Sequence, residues 1–332
     1  MPLVVITDCD HENIAVEQEL FGASGVEVRL PQAHTEDEVI RAAAEADGLI
    51  AQYAPLTARV LHALPRLRIV AKYGVGYDTV DVAAATADGI IVANVPDYCV
   101  EEVSDHAVAL LLALWRGVAF YDRAVRSGTW NAEAKKPMLR LAGRVLGVLG
   151  AGRIGSRVAQ KALGLGMIVI GCDPYLDAWP AGVRTVGLEE LLRTADAVSL
   201  NLPLNAETRH LMGEAALRQM KPTALLVNTA RGGVVDTAAL IRALQEGWIA
   251  GAALDVTEVE PLPADSPLYV LPNALVTPHA AWYSQESVPE LKRRAVENVL
   301  AALSGRRPRT PVNPEVFAGG KLRATGSLLT GC

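Results

Sequence analysis

Short apolar runs alternate with amphipathic stretches through the first hundred residues of the chain. Apolar positions spaced three and four residues apart predict helices at Glu12–Phe21 and Glu36–Ala46, and Thr35 is suited to be the N-cap of the second. This alternation of strands and helices is typical of a parallel sheet with helices on its faces. The predicted strands are Leu3–Thr7, Val26–Leu30, Gly48–Gln52 and Leu67–Lys72.

The alternation restarts after a long apolar stretch. Asp97–Gly117 predicts one largely buried helix, in which His106 is expected to have a packing or interface role. Two consecutive blocks of this kind in 332 residues predict an α/β fold with two Rossmann-like, doubly wound parallel-sheet domains and a cleft between them. The strands predicted in the second block are Val145–Leu149, Ile168–Cys172, Asp196–Leu200, Ala224–Asn228, Ala250–Asp255 and Leu275–Thr277. Its predicted helices are Ile154–Leu165, Leu188–Thr194, Glu214–Gln219, Thr237–Glu246 and Ser287–Ser304.

Composition excludes several classes of partner. A net charge of −6 provides no basic surface for nucleic acid, and no apolar run approaches the about 20 residues that a membrane helix needs, so we expect neither partner. The first residues predict a strand rather than a signal peptide, because no charged region or cleavage site is present. No histidine pair has metal-ligand spacing, and we expect no metal. Cys9, Cys99, Cys172 and Cys332 include no CxxC pair, which favours reduced thiols in the cytoplasm.

A glycine-rich turn joins the first strand of the second block to its helix. Gly150, Gly152 and Gly155 form the pattern GxGxxG. The first glycine permits a tight turn, the second lets the backbone approach a pyrophosphate, and the third lets helix and strand pack closely. Asp173 ends the next strand, where a carboxylate accepts hydrogen bonds from ribose hydroxyls and repels a 2′-phosphate. The pattern therefore predicts NAD, in preference to NADP.

Three later strand ends carry residues suited to the reduction of a keto acid. Arg231 offers a guanidinium fork for a carboxylate and a carbonyl, and His279 offers a proton donor that titrates near neutral pH. A glutamate is expected to hold the imidazole, and both Glu258 and Glu260 are available for this role. Ligands bind at the carboxyl ends of parallel strands, so these residues are expected to meet at one edge of a sheet.

Together these motifs resemble the D-isomer-specific 2-hydroxyacid dehydrogenases, over about residues 3 to 317. The resemblance implies Arg231, Glu260 and His279 as the catalytic residues, and favours Glu260 over Glu258. It also implies that the amides of Gly74, Val75 and Gly76 hold the substrate carboxylate. The segments that carry the resemblance are Gly150–Gly155, Leu202-Pro203, Thr208–Leu211, Asn228–Gly233, Asp255–Pro261 and Pro278-His279. The NAD site implied by the motifs and the resemblance comprises Gly150, Gly152, Arg153, Ile154, Gly155, Asp173, Pro203, Thr208, Thr229, Ala230 and Asp255, with Asp255 near the carboxamide.

A finer likeness is to the C-terminal-binding-protein branch of that family, whose animal members are transcriptional corepressors. It is carried by the segment His279–Ser284, together with Val95-Pro96 and Val100–Glu102. In that branch the tryptophan lines the substrate pocket. Trp282 is therefore expected to line the pocket here and to favour a side chain larger than a methyl group.

The expected domain organisation is discontinuous. Residues 1–97 with 288–317 are expected to form the substrate-binding domain and residues 98–287 the NAD domain, with a disordered tail at 318–332. By resemblance and by the excess of apolar residues, the long helix and Ala119–Leu139 are expected to form a homodimer interface.

The expected function is NAD-dependent reduction of a small 2-keto acid, or oxidation of the 2-hydroxy acid, with His279 as general acid and base. Two alternatives stay open. The first is a corepressor-like, NAD(H)-sensing binding protein without significant turnover; the second is a related NAD enzyme such as a formate or phosphite dehydrogenase. Pro278 disfavours a formate dehydrogenase, which is expected to have Gln before the catalytic histidine.

Overall fold

The computed structural model describes residues 1–176, 179–318 and 322–323. Over these residues the chain divides into two compact units. Unit 1 combines Met1–Tyr98 with the segment from Ser284 onward, and unit 2 is the continuous segment Cys99–Tyr283.

Unit 1 is built on five parallel strands in the order β2-β1-β3-β4-β5. The order reverses between β1 and β3, as in flavodoxin-like sheets. The strands are β1 (Leu3–Ile6), β2 (Glu27–Arg29), β3 (Gly48–Ala51), β4 (Ile69–Lys72) and β5 (Ile91–Ala93). The helices of this unit are α1 (Ala15–Ala23), α2 (Glu36–Ala42), α3 (Ala58–His62), α4 (Val82–Ala87) and, near the end of the chain, α11 (Ser287–Leu303).

Unit 2 is built on seven parallel strands in the order β12-β11-β10-β9-β6-β7-β8. Read from β8, the first six strands have the Rossmann order 3-2-1-4-5-6, and β12 adds a seventh strand at the opposite edge. The strands are β6 (Val145–Leu149), β7 (Ile168–Cys172), β8 (Val183–Thr185), β9 (Ala197–Leu200), β10 (Leu225–Asn228), β11 (Gly251–Leu254) and β12 (Ala274–Val276). The helices are α5 (Val100–Trp115), α6 (Val118–Arg126), α7 (Arg153–Gly164), α8 (Leu188–Thr194), α9 (Glu214–Leu217) and α10 (Thr237–Glu246).

The register of the seven-stranded sheet brings the ends of its central strands level with one another. Leu149, at the end of β6, pairs with Cys172 and with Leu200. At the other side of the sheet, Leu254 at the end of β11 pairs with Asn228 and with Val276. The loops that follow these strands therefore leave the same edge of the sheet. The prediction of two Rossmann-like parallel-sheet domains is confirmed.

The predicted long helix over Asp97–Gly117 is present as α5, which begins three residues later and ends two residues earlier than predicted. Helix α5 ends at Trp115, and α6 follows after Gly117, which takes a left-handed conformation at φ +61°. A Cβ at this glycine would lie 2.4 Å from the Cδ of Lys135. Because this conformation disfavours residues with a side chain, the break in the helix is specified by the glycine. Five elements were not predicted: β5, β8, α3, α4 and α6.

The unit boundaries lie close to the expected ones. The expected divisions were at 97/98 and 287/288, whereas the units divide at Tyr98/Cys99 and Tyr283/Ser284. The later division falls just before α11, and Ser284 and Ser287 exchange hydrogen bonds of 2.8 Å at the start of that helix. The functional assignment of each domain stays a prediction.

The expected disordered tail lies largely outside the described residues. Among its described residues is Arg323, whose amide donates to the Gly89 carbonyl at 3.0 Å. Its guanidinium donates to the Leu64 carbonyl at 2.9 Å.

Within the described residues, no single helix is long and apolar enough to cross a membrane. Helices α5 and α6 together have sufficient length and apolar composition, but the pair is bent by 59° at its junction.

Candidate active site

The glycine-rich turn between β6 and α7 is packed too closely for larger residues at two of its positions. A Cβ at Gly150, where φ is +86°, would lie 2.5 Å from the Asn201 carbonyl oxygen, and a Cβ at Gly155 would lie 1.9 Å from the Gly150 carbonyl oxygen. At Gly152, the N-cap of α7, a Cβ would meet no atom within 4 Å. No side chain caps this helix, so its first amides have no such partner. The turn therefore fits a pyrophosphate at a helix N-terminus.

Asp173 is held beside this turn by backbone amides. Its Oδ2 accepts a hydrogen bond of 2.8 Å from the Ala151 amide, and its Oδ1 accepts one of 2.9 Å from the Tyr175 amide. A carboxylate can accept about four hydrogen bonds, so capacity remains for ribose hydroxyls. Its half-buried position after β7 fits the predicted role.

The other predicted cofactor residues lie along the same edge of the sheet. Thr208 donates from its hydroxyl to the Pro203 carbonyl at 2.6 Å, and the Ala230 amide donates to Asn228 Oδ1 at 3.0 Å. Arg153 is exposed at the start of α7, and Ile154, next to it, packs partly on the core.

Two buried oxygens on this side of unit 2 fit a cofactor site. Thr229 Oγ1 and Asn201 Oδ1 have no hydrogen-bond partner within the described part of the chain. Because buried polar atoms are normally paired, a bound polar ligand is a suitable partner for both. The turn, the carboxylate and these oxygens together fit NAD.

His279 and Glu260 form a direct pair, although their loops follow different strands. His279 Nδ1 lies 2.7 Å from Glu260 Oε2, and Glu260 Oε1 accepts a hydrogen bond of 2.9 Å from the Thr257 amide. The His279 backbone is left-handed, with φ +52°. A carboxylate held in this way orients an imidazole ring.

The second glutamate of the acidic loop faces a different histidine. Glu258 Oε1 lies 2.6 Å from His210 Nε2, and its Oε2 accepts a hydrogen bond of 3.3 Å from the Thr237 amide. Burial by itself would raise the pKa of the Glu258 carboxyl, but the hydrogen bonds from His210 and Thr237 hold that pKa below its usual value. Of the two glutamates left open by the sequence, Glu260 is therefore the one in contact with His279.

Arg231 lies in the turn that follows β10. Its Nη1 donates to the Ala230 carbonyl at 2.8 Å, and its own carbonyl accepts from Asn228 Nδ2 at 2.9 Å. A Cβ at the next residue, Gly232, would lie 2.0 Å from the Thr257 carbonyl oxygen. The arginine turn and the segment that holds Glu260 are thus packed backbone against backbone.

The carboxylate of Asp255 is held by contacts inside the protein. Its side chain is 1% exposed. Oδ1 accepts hydrogen bonds from the Thr277 hydroxyl at 2.6 Å and the Ala280 amide at 2.9 Å, while Oδ2 accepts one from the Ala281 amide at 2.9 Å. The carboxylate therefore fixes the loop that bears His279, and its predicted contact with the cofactor stays a prediction.

The loop after β4 in unit 1 contains the predicted carboxylate-binding amides. Gly74 has φ +127°, a backbone conformation that side chains disfavour. Its carbonyl accepts from the Val95 amide at 2.9 Å, and the Val75 carbonyl accepts from Asn94 Nδ2 at 2.7 Å. Gly76, the third predicted residue, is half-buried.

The family model of the D-isomer specific 2-hydroxyacid dehydrogenase, NAD binding domain, matches residues 108–281. The chain belongs to this family. The matched segment lies inside unit 2 and contains the glycine-rich turn, Arg231, Glu260 and His279. The protein is accordingly an NAD-dependent oxidoreductase, as its sequence predicted.

Relatives of this dehydrogenase support the same conclusion. The chain is 47% identical over 283 residues to a glyoxylate reductase of Korarchaeum cryptofilum, covering 82% of this chain and 83% of the relative. A glyoxylate reductase from Paecilomyes thermophila has a solved structure with a TM-score of 0.84 and 30% identity, covering 95% of this chain and 98% of that one. The D-lactate dehydrogenase from Aquifex aeolicus, complexed with NAD and lactic acid, has a TM-score of 0.83 and 30% identity, covering 91% and 96%. These relatives support a dehydrogenase rather than the NAD-sensing binding protein that was the alternative.

Sequence reasoning missed one residue at this site of the dehydrogenase. His106, on α5, lies with its Nε2 3.0 Å from Thr277 Oγ1 and 3.4 Å from Asp255 Oδ1. The sequence signal was a histidine in an otherwise apolar helix, which is equally typical of a packing residue. Only the tertiary structure distinguishes the two, because it packs α5 against β10 and β11 and brings His106 to Thr277.

Proposed function

We propose that this dehydrogenase reduces a small 2-keto acid of about the size of glyoxylate, with His279 giving the proton to the keto oxygen. The observation that carries this proposal is the 2.7 Å pair between His279 Nδ1 and Glu260 Oε2. A glutamate carboxylate only accepts hydrogen bonds, so Nδ1 carries a hydrogen in this pair. Nε2 is then the nitrogen that exchanges a proton with the substrate.

The other residues of the site would bind and orient the acid. When bound, NADH supplies the hydride for the carbonyl carbon. Arg231 would hold the carboxylate and polarise the carbonyl through its planar guanidinium, which suits both oxygens. In unit 1, the constrained backbone of the loop at Gly74, Val75 and Gly76 supports the expected role of its amides in binding a carboxylate.

Two observations bear on the size of the substrate's side chain. The glyoxylate reductase named above supports a small acid. The half-buried ring of Trp282, which packs edge-on against Tyr283 at 5.8 Å, supports an additional apolar contact. An aromatic face rewards apolar or thioether groups, so the two observations together define a series of keto acids of increasing size.

The experiment is a series of keto acids assayed with NADH, from glyoxylate through pyruvate to methylthio and aromatic analogues. We expect turnover with the small acids, and we expect His279→Gln to lower kcat by a factor of about 10²–10⁴, the usual contribution of a general acid. The matched control is His34→Gln, which alters an exposed histidine of unit 1. Failure of every acid to oxidise NADH would favour the binding protein, and undiminished turnover by His279→Gln would remove that residue from the role.

We also infer that the chain is closest to the C-terminal-binding-protein branch, forms a homodimer and works in the cytoplasm. Motif 279–284 supports the branch. The exposed apolar residues of α6 and of the segment after it support the dimer. Free thiols at Cys9 and Cys172 support a reducing compartment. Assay of an extract separated into soluble and membrane fractions tests the compartment.

A further inference from the structure

Three hydrogen-bonded side chains connect α5 to the loop that bears His279. His106 Nε2 lies 3.0 Å from Thr277 Oγ1, and the Thr277 hydroxyl lies 2.6 Å from Asp255 Oδ1. His106 comes from α5, Thr277 directly follows β12 and Asp255 directly follows β11. Three elements that are distant in sequence are therefore connected through side chains within unit 2.

The chemistry of these groups sets the direction of the hydrogen bonds. The Asp255 carboxylate only accepts, so the single hydroxyl proton of Thr277 points toward it. The Thr277 oxygen can then only accept from His106, which requires a hydrogen on Nε2. His106 thus acts as a donor, and the chain runs from His106 through Thr277 to Asp255.

Asp255 and Thr277 together hold the backbone of His279. The His279 amide donates to the Asp255 carbonyl at 2.8 Å and to the Thr277 carbonyl at 3.1 Å. The following amides, of Ala280 and Ala281, donate to the Asp255 carboxylate. The left-handed conformation of His279, which side chains disfavour, persists because these bonds determine it.

We propose that His106 is a positioning residue for proton transfer at His279, acting through Thr277 and Asp255. The inference rests on the proposed role of His279 as general acid. His106 keeps Thr277 aimed at Asp255, and Asp255 keeps the loop 279–281 in the conformation that directs the imidazole. A displacement of about 1 Å at a reacting group can cost about 10²-fold in rate, so a remote donor can affect turnover strongly.

The test compares variants that remove the donor with variants that keep it. His106→Leu removes it, whereas His106→Gln places an amide nitrogen near the position of Nε2. Thr277→Val and Thr277→Ser repeat the comparison at the second link. We expect His106→Leu and Thr277→Val each to lower kcat for keto-acid reduction by a factor of about 10–100, with the KM for NADH nearly unchanged. His106→Gln and Thr277→Ser should retain most of kcat.

A double variant measures whether the two residues act as one unit. Residues of one hydrogen-bond network are not additive, so His106→Leu combined with Thr277→Val should be little slower than either alone. His62→Leu, on α3 of unit 1, is the matched control for loss of a histidine ring, and should keep the wild-type kcat.

Three outcomes separate the inference from the proposed function. If His279→Gln leaves kcat unchanged, the proposed function fails. If His279→Gln is slow while His106→Leu and Thr277→Val keep the wild-type kcat, the positioning role alone is overturned. Equal losses in the Leu and Gln variants of His106, with NADH binding weakened in parallel, would indicate packing only and would also overturn it.

A measurement on the wild-type protein covers the case in which His106→Leu does not fold. At pH 8, above the ordinary histidine pKa of about 6.5, ring nitrogen NMR shifts report which nitrogen carries the hydrogen. We expect His106 to carry it on Nε2, with the signal assigned by its loss in His106→Gln. A hydrogen on Nδ1 instead would contradict the chain of hydrogen bonds.

Discussion

Single side chains in unit 2 have separate tasks that their positions in the sequence do not reveal. Glu258 and Glu260 stand two residues apart, yet one contacts His210 and the other contacts His279. The backbone bends at residues 258–261 instead of continuing as an extended strand, in which residues two apart would share one face, and the two carboxylates have different partners. The acidic loop therefore both orients an imidazole and anchors itself to the loop at His210 and to the start of α10.

The carboxylate of Asp173 leads to a prediction about cofactor choice. Asp173→Ala should weaken NADH binding by about ten- to a hundredfold, because it removes hydrogen bonds to a charged acceptor. It should also reduce the preference for NADH over NADPH, because it removes the repulsion of a 2′-phosphate. The measurement is kcat/KM for both cofactors.

Asp173→Asn is the matched variant for this prediction. It keeps an oxygen for the Ala151 amide, at 2.8 Å in the wild type, and removes only the charge. It should therefore reduce the preference for NADH over NADPH while losing less NADH affinity than Asp173→Ala. An unchanged ratio between the cofactors in both variants would refute the ribose assignment.

At the scale of elements, an aspartate links the starts of two neighbouring strands in each sheet. Asp47 directly precedes β3 and accepts from the Leu3 amide of β1 at 2.9 Å. Asp196 directly precedes β9 and accepts from the Val145 amide of β6, also at 2.9 Å. Each aspartate also pairs with basic side chains, Lys221 for Asp196 at 2.9 Å. A buried carboxylate thus joins the starts of neighbouring parallel strands in each unit.

The contacts of Asp196 predict a contribution to the free energy of unfolding that is lost in acid. Burial alone would raise the pKa of this carboxyl, but the Val145 amide and Lys221 hold it below its ordinary value. A lowered pKa means that the contribution is present above the unfolded value of about 3.9 and is lost as the pH falls through the lower folded value. Asp196→Asn should reduce the free energy of unfolding at pH 7 by about 1–3 kcal/mol, measured by urea titration.

The control for this prediction is Glu189→Gln, which breaks an exposed ion pair with Arg193. Such pairs contribute about 0–1 kcal/mol, so this variant should remain close to the wild type. The difference between wild type and Asp196→Asn should shrink as the pH falls from about 3.9 through the lower folded pKa. A difference that is absent at pH 7, or constant down to the lowest pH at which both fold, would argue against this contribution.

At the scale of the whole molecule, the exposed apolar residues after α5 predict an assembly. Val118 is 58% exposed, Val125 is 47% exposed and Trp130 is 90% exposed, and α6 has no buried residue. Apolar groups of this size in one exposed segment are typical of a protein interface. If they form the proposed two-fold dimer interface, Trp130→Glu should shift the protein toward monomers in sedimentation experiments at micromolar concentration.

Val270→Glu is the control for this assembly prediction. Val270 is 81% exposed and lies outside the segment, so its replacement should leave the sedimentation unchanged. A wild-type protein that sediments as a stable monomer at micromolar concentration would reject the dimer.

The sequence by itself determined the features that depend on neighbouring residues. The strand Val145–Leu149 and the helix Thr237–Glu246 have the predicted bounds. Thr35 is the N-cap of α2, as predicted. Its side chain also forms a capping box with Glu38. Gly155 of the GxGxxG turn is specified in the same way, because a Cβ there would meet the Gly150 carbonyl oxygen within the same strand–turn–helix unit. Such signals are local, so they can be read without knowing the neighbouring strands.

Only the tertiary structure decided which distant side chains meet. The inward contacts of Asp255 and the partnership of His106 with Thr277 depend on strand order and register, and so does the contact of Glu260 with His279, although the family resemblance favoured Glu260 over Glu258. Sequence patterns predict that strands are buried, but burial alone does not fix which strands are adjacent or where a helix packs across them. A hydrogen bond needs its atoms aligned within about 3 Å, and that alignment comes from the packed sheet rather than from residue type.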